Sequence, residues 1–247
     1  MELRDKVILI TGGATGIGRA TALRFAGAGA HIAINYSRSA TEAQETADAV
    51  AQLGVQAAIY QADVADDAAV RAMCAAVVER FGRIDVLVNN AGTTAYVAHD
   101  DLEGLTEEIW DRLLAVNTKG IFFCSRAAAA ELRRNRGAII NVTSLGGITG
   151  GGSSIAYAAS KAAAISVTKS LARVFAPEVR VNALAPGIVM TRWVAGREEH
   201  VRRYSAGTPM GRPAYAEDVA DMAFALATGG DFVTGQTIVI DGGMSLQ

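Results

Sequence analysis

Cysteine is scarce in this chain, 2 in 247 residues. Cys74 and Cys124 both fall in apolar helical patterns without CxxC spacing, which excludes a disulfide scaffold and reads as buried free thiols. Histidine is nearly as sparse, and His31, His99 and His200 show no metal-ligand spacing, so no metal site is expected. Aromatic residues make up only 6%, against a β-sandwich, while abundant alanine and glycine suit close packing of helices on a sheet. No apolar run approaches the roughly 18 residues of a membrane span, and the opening MELRDKVILITGG enters a strand within a few residues. A cytoplasmic protein with no membrane partner is the expectation. Positive charge is not in excess either: the net charge is -2, so no basic field draws the chain to nucleic acid.

What is present is alternation. Seven apolar runs bounded by turn signals read as strands, at 6–11, 31–36, 56–64, 84–90, 138–144, 179–187 and 236–241. Between them lie helical patterns at about 16–28, 40–53, 66–81, 106–133, 153–175 and 216–227. Strands alternating with helices of this length require right-handed crossovers, hence an α/β fold with a mostly parallel, doubly wound seven-stranded sheet covered by helices on both faces. No linker or repeat divides residues 1–247, and a chain of this length buries roughly 70 to 75% of its unfolded surface, enough for a single domain. Residues 188–214 show no clear strand or helix sense. A loop longer than about 12 to 15 residues in a compact domain is usually functional, and this one combines Gly196, Gly207 and Gly211 with Trp193, Val194 and Met210. It is the candidate substrate loop, a lid able to close over an apolar ligand.

After the first strand comes TGGATGIGRA, in which Gly12, Gly16 and Gly18 open a helix. Glycines there permit a tight turn and let backbone N–H groups approach a pyrophosphate at the positive end of the helix, with Thr15 and Ile17 in the same turn. At the end of the second strand a carboxylate would bond a ribose 2′-hydroxyl and repel a 2′-phosphate. The stretch HIAINYSRSA carries no Asp or Glu and instead offers Ser37 and Arg38, a hydroxyl and a guanidinium suited to phosphate, so NADP is favoured over NAD. At the end of the third strand Asp63 is placed to accept from an adenine amine, with Val64 supplying backbone contact. NNAG at 89–92 ends the fourth strand: small Ala91 and Gly92 leave room for a ribose, and Asn90 ties neighbouring strands.

YAASK at 157–161 places Tyr157 and Lys161 on one face of an alanine-rich helix, thirteen residues after Ser144 at the end of the fifth strand. Asn117, in VNTKG, interrupts a long helical pattern and marks a candidate bend. Together with TGGATGIG, NNAG, INVTS, APG and a closing DGG, these motifs run in order along nearly the whole chain, which resembles the short-chain dehydrogenase/reductase family. The resemblance implies a Rossmann fold and assigns roles. Tyr157 would protonate a forming alkoxide or take the proton of an alcohol, and Lys161 would lower the phenol's pKa and bond the nicotinamide ribose. Ser144 would donate to the substrate oxygen, Asn117 would hold a water linking Lys161 to solvent, and Pro186, Gly187, Ile188 and Thr191 would meet the nicotinamide carboxamide. Thr143 stands where many relatives carry a second Ser, without bearing on the chemistry.

The expected activity is that of an NADP-dependent enzyme interconverting a ketone and a secondary alcohol, most like the 3-oxoacyl-[acyl-carrier-protein] reductases. Reduction of small ketones, sugars or steroids is the alternative, and an NADP-binding sensor without turnover the non-enzymatic one. An acidic carrier protein needs basic residues at the active-site mouth, for which Arg133, Arg134, Arg136 and Arg173 are the candidates. Small residues in series, Ala127 to Ala130 on one helix and Ala158, Ala159 and Ala162 to Ala164 on another, exceed what one sheet-facing stripe needs. The family pairs these helices across a two-fold axis and adds a second interface through the last helix and strand, here ending TIVIDGGMSLQ, so a homotetramer is expected.

Overall fold

Strand β1, Val7–Thr11, is buried along its whole length, and its alternating side chains enter two different cores. Ile8 and Ile10 pack with residues of helices α1 (Gly16–Ala26), α2 (Ala40–Ala51) and α10 (Ala216–Thr228) on one face of the sheet. Val7 and Leu9 pack on the other face with α3 (Asp67–Phe81), α5 (Gly120–Ala127), α6 (Ala129–Arg134) and α8 (Ile155–Phe175). A central strand apolar on both sides follows from burial of both faces, and it explains why these runs lack polar alternation. The computed structural model describes residues 1–246, so the final residue of TIVIDGGMSLQ lies outside the described residues.

The remaining strands are β2 (His31–Tyr36), β3 (Ala57–Gln61), β4 (Val86–Asn89), β5 (Ala138–Val142), β6 (Arg180–Pro186) and β7 (Thr237–Ile240), in the order β3-β2-β1-β4-β5-β6-β7. Every pairing is parallel, so the expected doubly wound Rossmann sheet is present without an antiparallel edge. The chain winds outward from β1 through β3 and then returns to the far side of β1 with β4. Loops leaving the carboxyl ends of β1 and β4 therefore diverge and open a crevice.

Two expectations need correction. The pattern at 106–133 is not one helix: α4 (Glu107–Leu114) passes through a π turn, Ala115–Lys119, into α5. There the Gly120 N–H reaches back to Ala115 O, five residues away, and the bend marked by Asn117 is this wider turn. Residues 188–214 are also not a featureless loop. They hold a 3-10 turn, Arg192–Val194, and helix α9, Glu198–Gly207, none of whose residues is buried. With no apolar stripe to bury, α9 gives no helical signature in the sequence. A short helix α7, Gly146–Thr149, precedes α8.

Candidate active site and cofactor groove

The glycine turn is held by its neighbours. Gly12 has φ +60°, and a Cβ there would lie 2.9 Å from Ala91 Cα, while a Cβ on Gly18 would lie 2.2 Å from the Gly12 carbonyl oxygen. Only glycine allows this approach of α1 to the turn. Asn90 donates to the carbonyls of Thr11 (3.0 Å) and Gly12 (2.9 Å), the strand tie expected of it. Asn35 does as much from the other side and was not anticipated. It is 1% exposed, accepts from Gly12 N–H at 3.2 Å and donates to Ala62 O at 3.0 Å. A buried Asn in an otherwise apolar strand is the signal that would have revealed it.

A cavity of about 810 Å³ runs from this turn to Tyr157. Every predicted catalytic or cofactor residue lines it except Gly18, Val64 and Asn117, and except Ser37, Arg38 and Asp63, which line a second hollow with Arg112. Sequence reasoning missed Arg112, whose guanidinium bonds Asp63 Oδ2 at 2.9 Å. Burial alone would raise the Asp63 pKa, but the Ala65 N–H, the Arg112 hydrogen bond and the charges of Arg112 and Arg38 outweigh it and hold the carboxyl below its usual range. With Asp63 committed to Ala65 and Arg112, an adenine amine can use only a remaining lone pair.

At the chemical end, Ser144 follows β5 and its Oγ accepts from Gly146 N–H at 3.1 Å. Thr143 turns away, donating to Leu184 O at 2.7 Å. Helix α8 starts where Ser154, fully buried, caps the Tyr157 N–H at 3.2 Å, so the phenol stands in the first turn beside Ser144. Lys161, one turn on and 3% exposed, donates to Val142 O at 3.0 Å, with its nitrogen 5.8 Å from the Tyr157 ring centroid.

The electrostatics differ from the expectation that Lys161 lowers the phenol's pKa. Burial pushes Tyr157 up, the Ser144 hydrogen bond pulls it down by less, and Tyr96 adds to the rise. Lys161 is not among the causes of that shift; its nitrogen donates to Val142 O and lies 5.8 Å from the ring centroid, and burial brings its own pKa down to about 8. Asn117, fully buried, has its side chain occupied: Nδ2 donates to Thr93 O and Ser160 Oγ, and Oδ1 accepts from Thr93 N–H.

A family profile described as Enoyl-(Acyl carrier protein) reductase matches residues 12–245. Ketoacyl reductase 2 of the granaticin polyketide synthase from Streptomyces violaceoruber is 38% identical over 97% of this chain and 96% of its own length. The 3-oxoacyl-[acyl-carrier-protein] reductase FabG of Staphylococcus aureus is 37% identical over 97% and 98%. A crystal structure of a short-chain dehydrogenase/reductase from Burkholderia xenovorans superposes with a TM-score of 0.93 at 38% identity, covering 98% of both chains. The chain belongs to the short-chain dehydrogenase/reductase family. It is accordingly an oxidoreductase, and no described helix is long and apolar enough to cross a membrane.

In this short-chain dehydrogenase/reductase the cavity is roofed by residues 188–214. Both ends of the segment are tied: Val189 bridges Ala214, Met190 N–H donates to Ala214 O at 2.8 Å, and Ala214 N–H donates to Ile188 O at 2.9 Å. Between them, the Tyr96 hydroxyl donates to Trp193 O at 2.7 Å, and the Trp193 ring meets Tyr157 edge-on at 6.5 Å. Arg197 stacks on Tyr96 at 3.5 Å. Tyr204 of α9 stands over Gly187, where a Cβ would meet its hydroxyl at 1.9 Å. Tyr96 and Tyr204 were not predicted; each sits outside any recurrent spacing. By contrast, Arg133, Arg134, Arg136 and Arg173 lie away from the mouth. They precede β5 or end α8, at the amino ends of the strands, and none lines the cavity.

Proposed function

We propose that this chain is an NADP-dependent enzyme that interconverts a ketone and a secondary alcohol, with a 3-oxoacyl group on an acyl carrier protein as its substrate. The observation that carries the reading is that the Ser144 and Tyr157 hydroxyls and the buried Lys161 line one cavity, which continues to the glycine turn. The turn fits a dinucleotide, because the space that side chains on Gly12 and Gly18 would fill is taken by backbone and α1 begins at that point. NADP fits the absence of carboxylates from 31 to 40 and the presence of Arg38. When bound, the cofactor supplies a hydride to the carbonyl carbon.

The protein's own part is proton management. With its pKa raised by burial, Tyr157 is a neutral phenol near neutral pH, the form that donates to a forming alkoxide. The Ser144 hydroxyl donates to the same oxygen and stabilises its developing charge. Lys161, with a pKa of about 8, keeps its ammonium at neutral pH, a cation 5.8 Å from the Tyr157 ring centroid. Since the Asn117 side chain is occupied, a water relay to Lys161 would use backbone carbonyls around the π turn instead. Buried free Cys74 and Cys124 suit a reducing cytoplasm.

The names of the FabG and granaticin relatives support a 3-oxoacyl substrate, while the profile's description favours an enoyl one as the second reading. Hydroxyls aimed at a single oxygen suit a carbonyl. The test is NADPH oxidation with 3-oxoacyl and 2-enoyl carrier-protein thioesters and small ketones side by side. Turnover confined to the enoyl thioester, or absent throughout, overturns the proposal.

A further inference from the structure

Segment 188–214 reaches beyond the carbonyl site. Thr191 packs against the glycine turn, 3.2 Å from where a Cβ on Gly16 would lie. The next residue, Arg192, extends to the turn after β2, where its Nη1 donates to Ser39 Oγ at 3.2 Å across 153 residues of sequence. Ser39 stands at the cap position of α2, yet its hydroxyl makes no cap bond and instead receives Arg192. Two consecutive residues, Thr191 and Arg192, thus link the glycine turn to the Ser37–Arg38 turn.

The local charges are unbalanced. Neither Arg192 nor Arg38 has a carboxylate within ion-pair distance among the described residues, and the nearby Asp63 is paired with Arg112. Arg192 is exposed and supports no core, so its long reach to Ser39 serves no packing need. Arg38 within the Ser37-Arg38-Ser39 turn and Arg192 reaching it at Ser39, neither of them ion-paired, match a phosphate dianion, which takes forked N–H donors from more than one side.

We propose that Arg192 is a second reader of the cofactor's 2′-phosphate. Reached from the roof, this contact makes closure over the carbonyl site depend on the phosphorylated cofactor. The inference rests on the NADP reading above. It assigns discrimination to two separate parts of the chain: Arg38 from the sheet, fixed, and Arg192 from the roof, placed by how that segment sits. NADP would then close the roof more tightly than NAD, because only NADP offers Arg192 an anion in place of the Ser39 hydroxyl.

The experiment measures NADPH and NADH dissociation constants for the wild type, Arg38→Ala, Arg192→Ala and Arg192→Lys. Hydrogen exchange of residues 188–207 is followed with saturating NADP+ or NAD+. Arg192→Ala is expected to weaken NADPH about tenfold, the size of one charge-assisted hydrogen bond, while NADH changes less than about twofold. Arg192→Lys should recover part of the loss, and the extra protection given by NADP+ over NAD+ should vanish in Arg192→Ala. Equal weakening of both cofactors would place Arg192 on the pyrophosphate and overturn the inference. So would a preference for NADPH that Arg38→Ala alone abolishes and Arg192→Ala leaves intact; the NADP reading would survive that result. A wild type without preference for NADPH overturns both.

Discussion

Lys161 should make the cofactor-free protein less stable than it would be with a neutral side chain there. The residue is 3% exposed, and its ammonium has a single acceptor among the described residues, the Val142 carbonyl at 3.0 Å. A fall in pKa from 10.5 to about 8 corresponds to roughly 3 kcal/mol against the charged form, at ~1.4 kcal/mol per pH unit. Lys161→Met removes the charge and fills similar volume but gives up one hydrogen bond worth about 1 kcal/mol. The net expectation is a gain of about 2 kcal/mol at neutral pH, or roughly 4 to 8 °C in Tm for a chain of this size. The pH dependence follows from linkage. Below about pH 8 Lys161 is protonated in both states, and the fold bears the whole cost. Between about 8 and 10.5 the unfolded chain binds the extra proton, so wild-type stability rises with pH and the advantage of the variant shrinks. Urea unfolding of both proteins without cofactor, at fixed concentration, at neutral pH and above pH ~10, measures this directly. A variant less stable than wild type at neutral pH, or a difference that does not move with pH, would refute the reasoning. Turnover of the variant should be lost in either case.

Three further outcomes are expected. Tyr157→Phe should lower kcat by about two orders of magnitude or more with little change in NADPH affinity; near-normal turnover, measured by NADPH oxidation, would remove Tyr157 from proton transfer. Ser154→Ala removes the cap that fixes the first turn of α8 and should cost about 1 kcal/mol in chemical unfolding. It should reduce kcat more than it raises KM, and Ser154→Thr should restore both. The assembly should be a homotetramer: Phe122 on α5 and Val174 on α8 are 40% and 64% exposed in the isolated chain, so light scattering should give four times 25.7 kDa and a smaller species for Ala162→Arg, whereas a fully active monomer would refute it.

The alternation of strands and helices along the chain and most of the residues around the cavity were legible because each depended on local chemistry. Val7 to Thr11 read as a strand from its apolar run alone, and Gly12 and Gly18 read as a turn because only glycine tolerates the approach made there. Tyr157 and Lys161 were legible because helical spacing put them on one face. What escaped depends on partners distant in sequence. Arg112 meets Asp63 across 49 residues and Arg192 meets Ser39 across 153, and neither has a spacing that announces it. Helix α9 escaped because it buries nothing. The carrier-protein arginines were misplaced because composition gives charge but not the edge of the sheet on which it falls. Spacing likewise gives the face that Tyr157 shares with Lys161 but not the burial that pushes the phenol's pKa up.

The positions that break local rules are concentrated where α8 must be held. The helix is capped at Ser154 and tied again at Thr168, whose hydroxyl accepts from Asn141 Nδ2 at 2.9 Å; Asn141 in turn accepts from Asn89 at 2.9 Å. Tyr157 and Lys161 lie between these two fastenings. Two buried asparagines in adjacent strands weaken an otherwise apolar core, and Asn89 Oδ1 has no partner among the described residues, a cost of about 1 to 3 kcal/mol by ordinary measures. A core built only for stability would place Val or Ile there. Directional bonds do what apolar packing does not: they fix the rotation and height of α8 relative to β4 and β5. Ser144 sits at the end of β5 and Tyr157 at the start of α8, so the relative position of strand and helix sets the distance between the two hydroxyls. The polar ladder, the cap and the buried ammonium therefore belong to one arrangement, in which stability is given up to hold a proton donor in place.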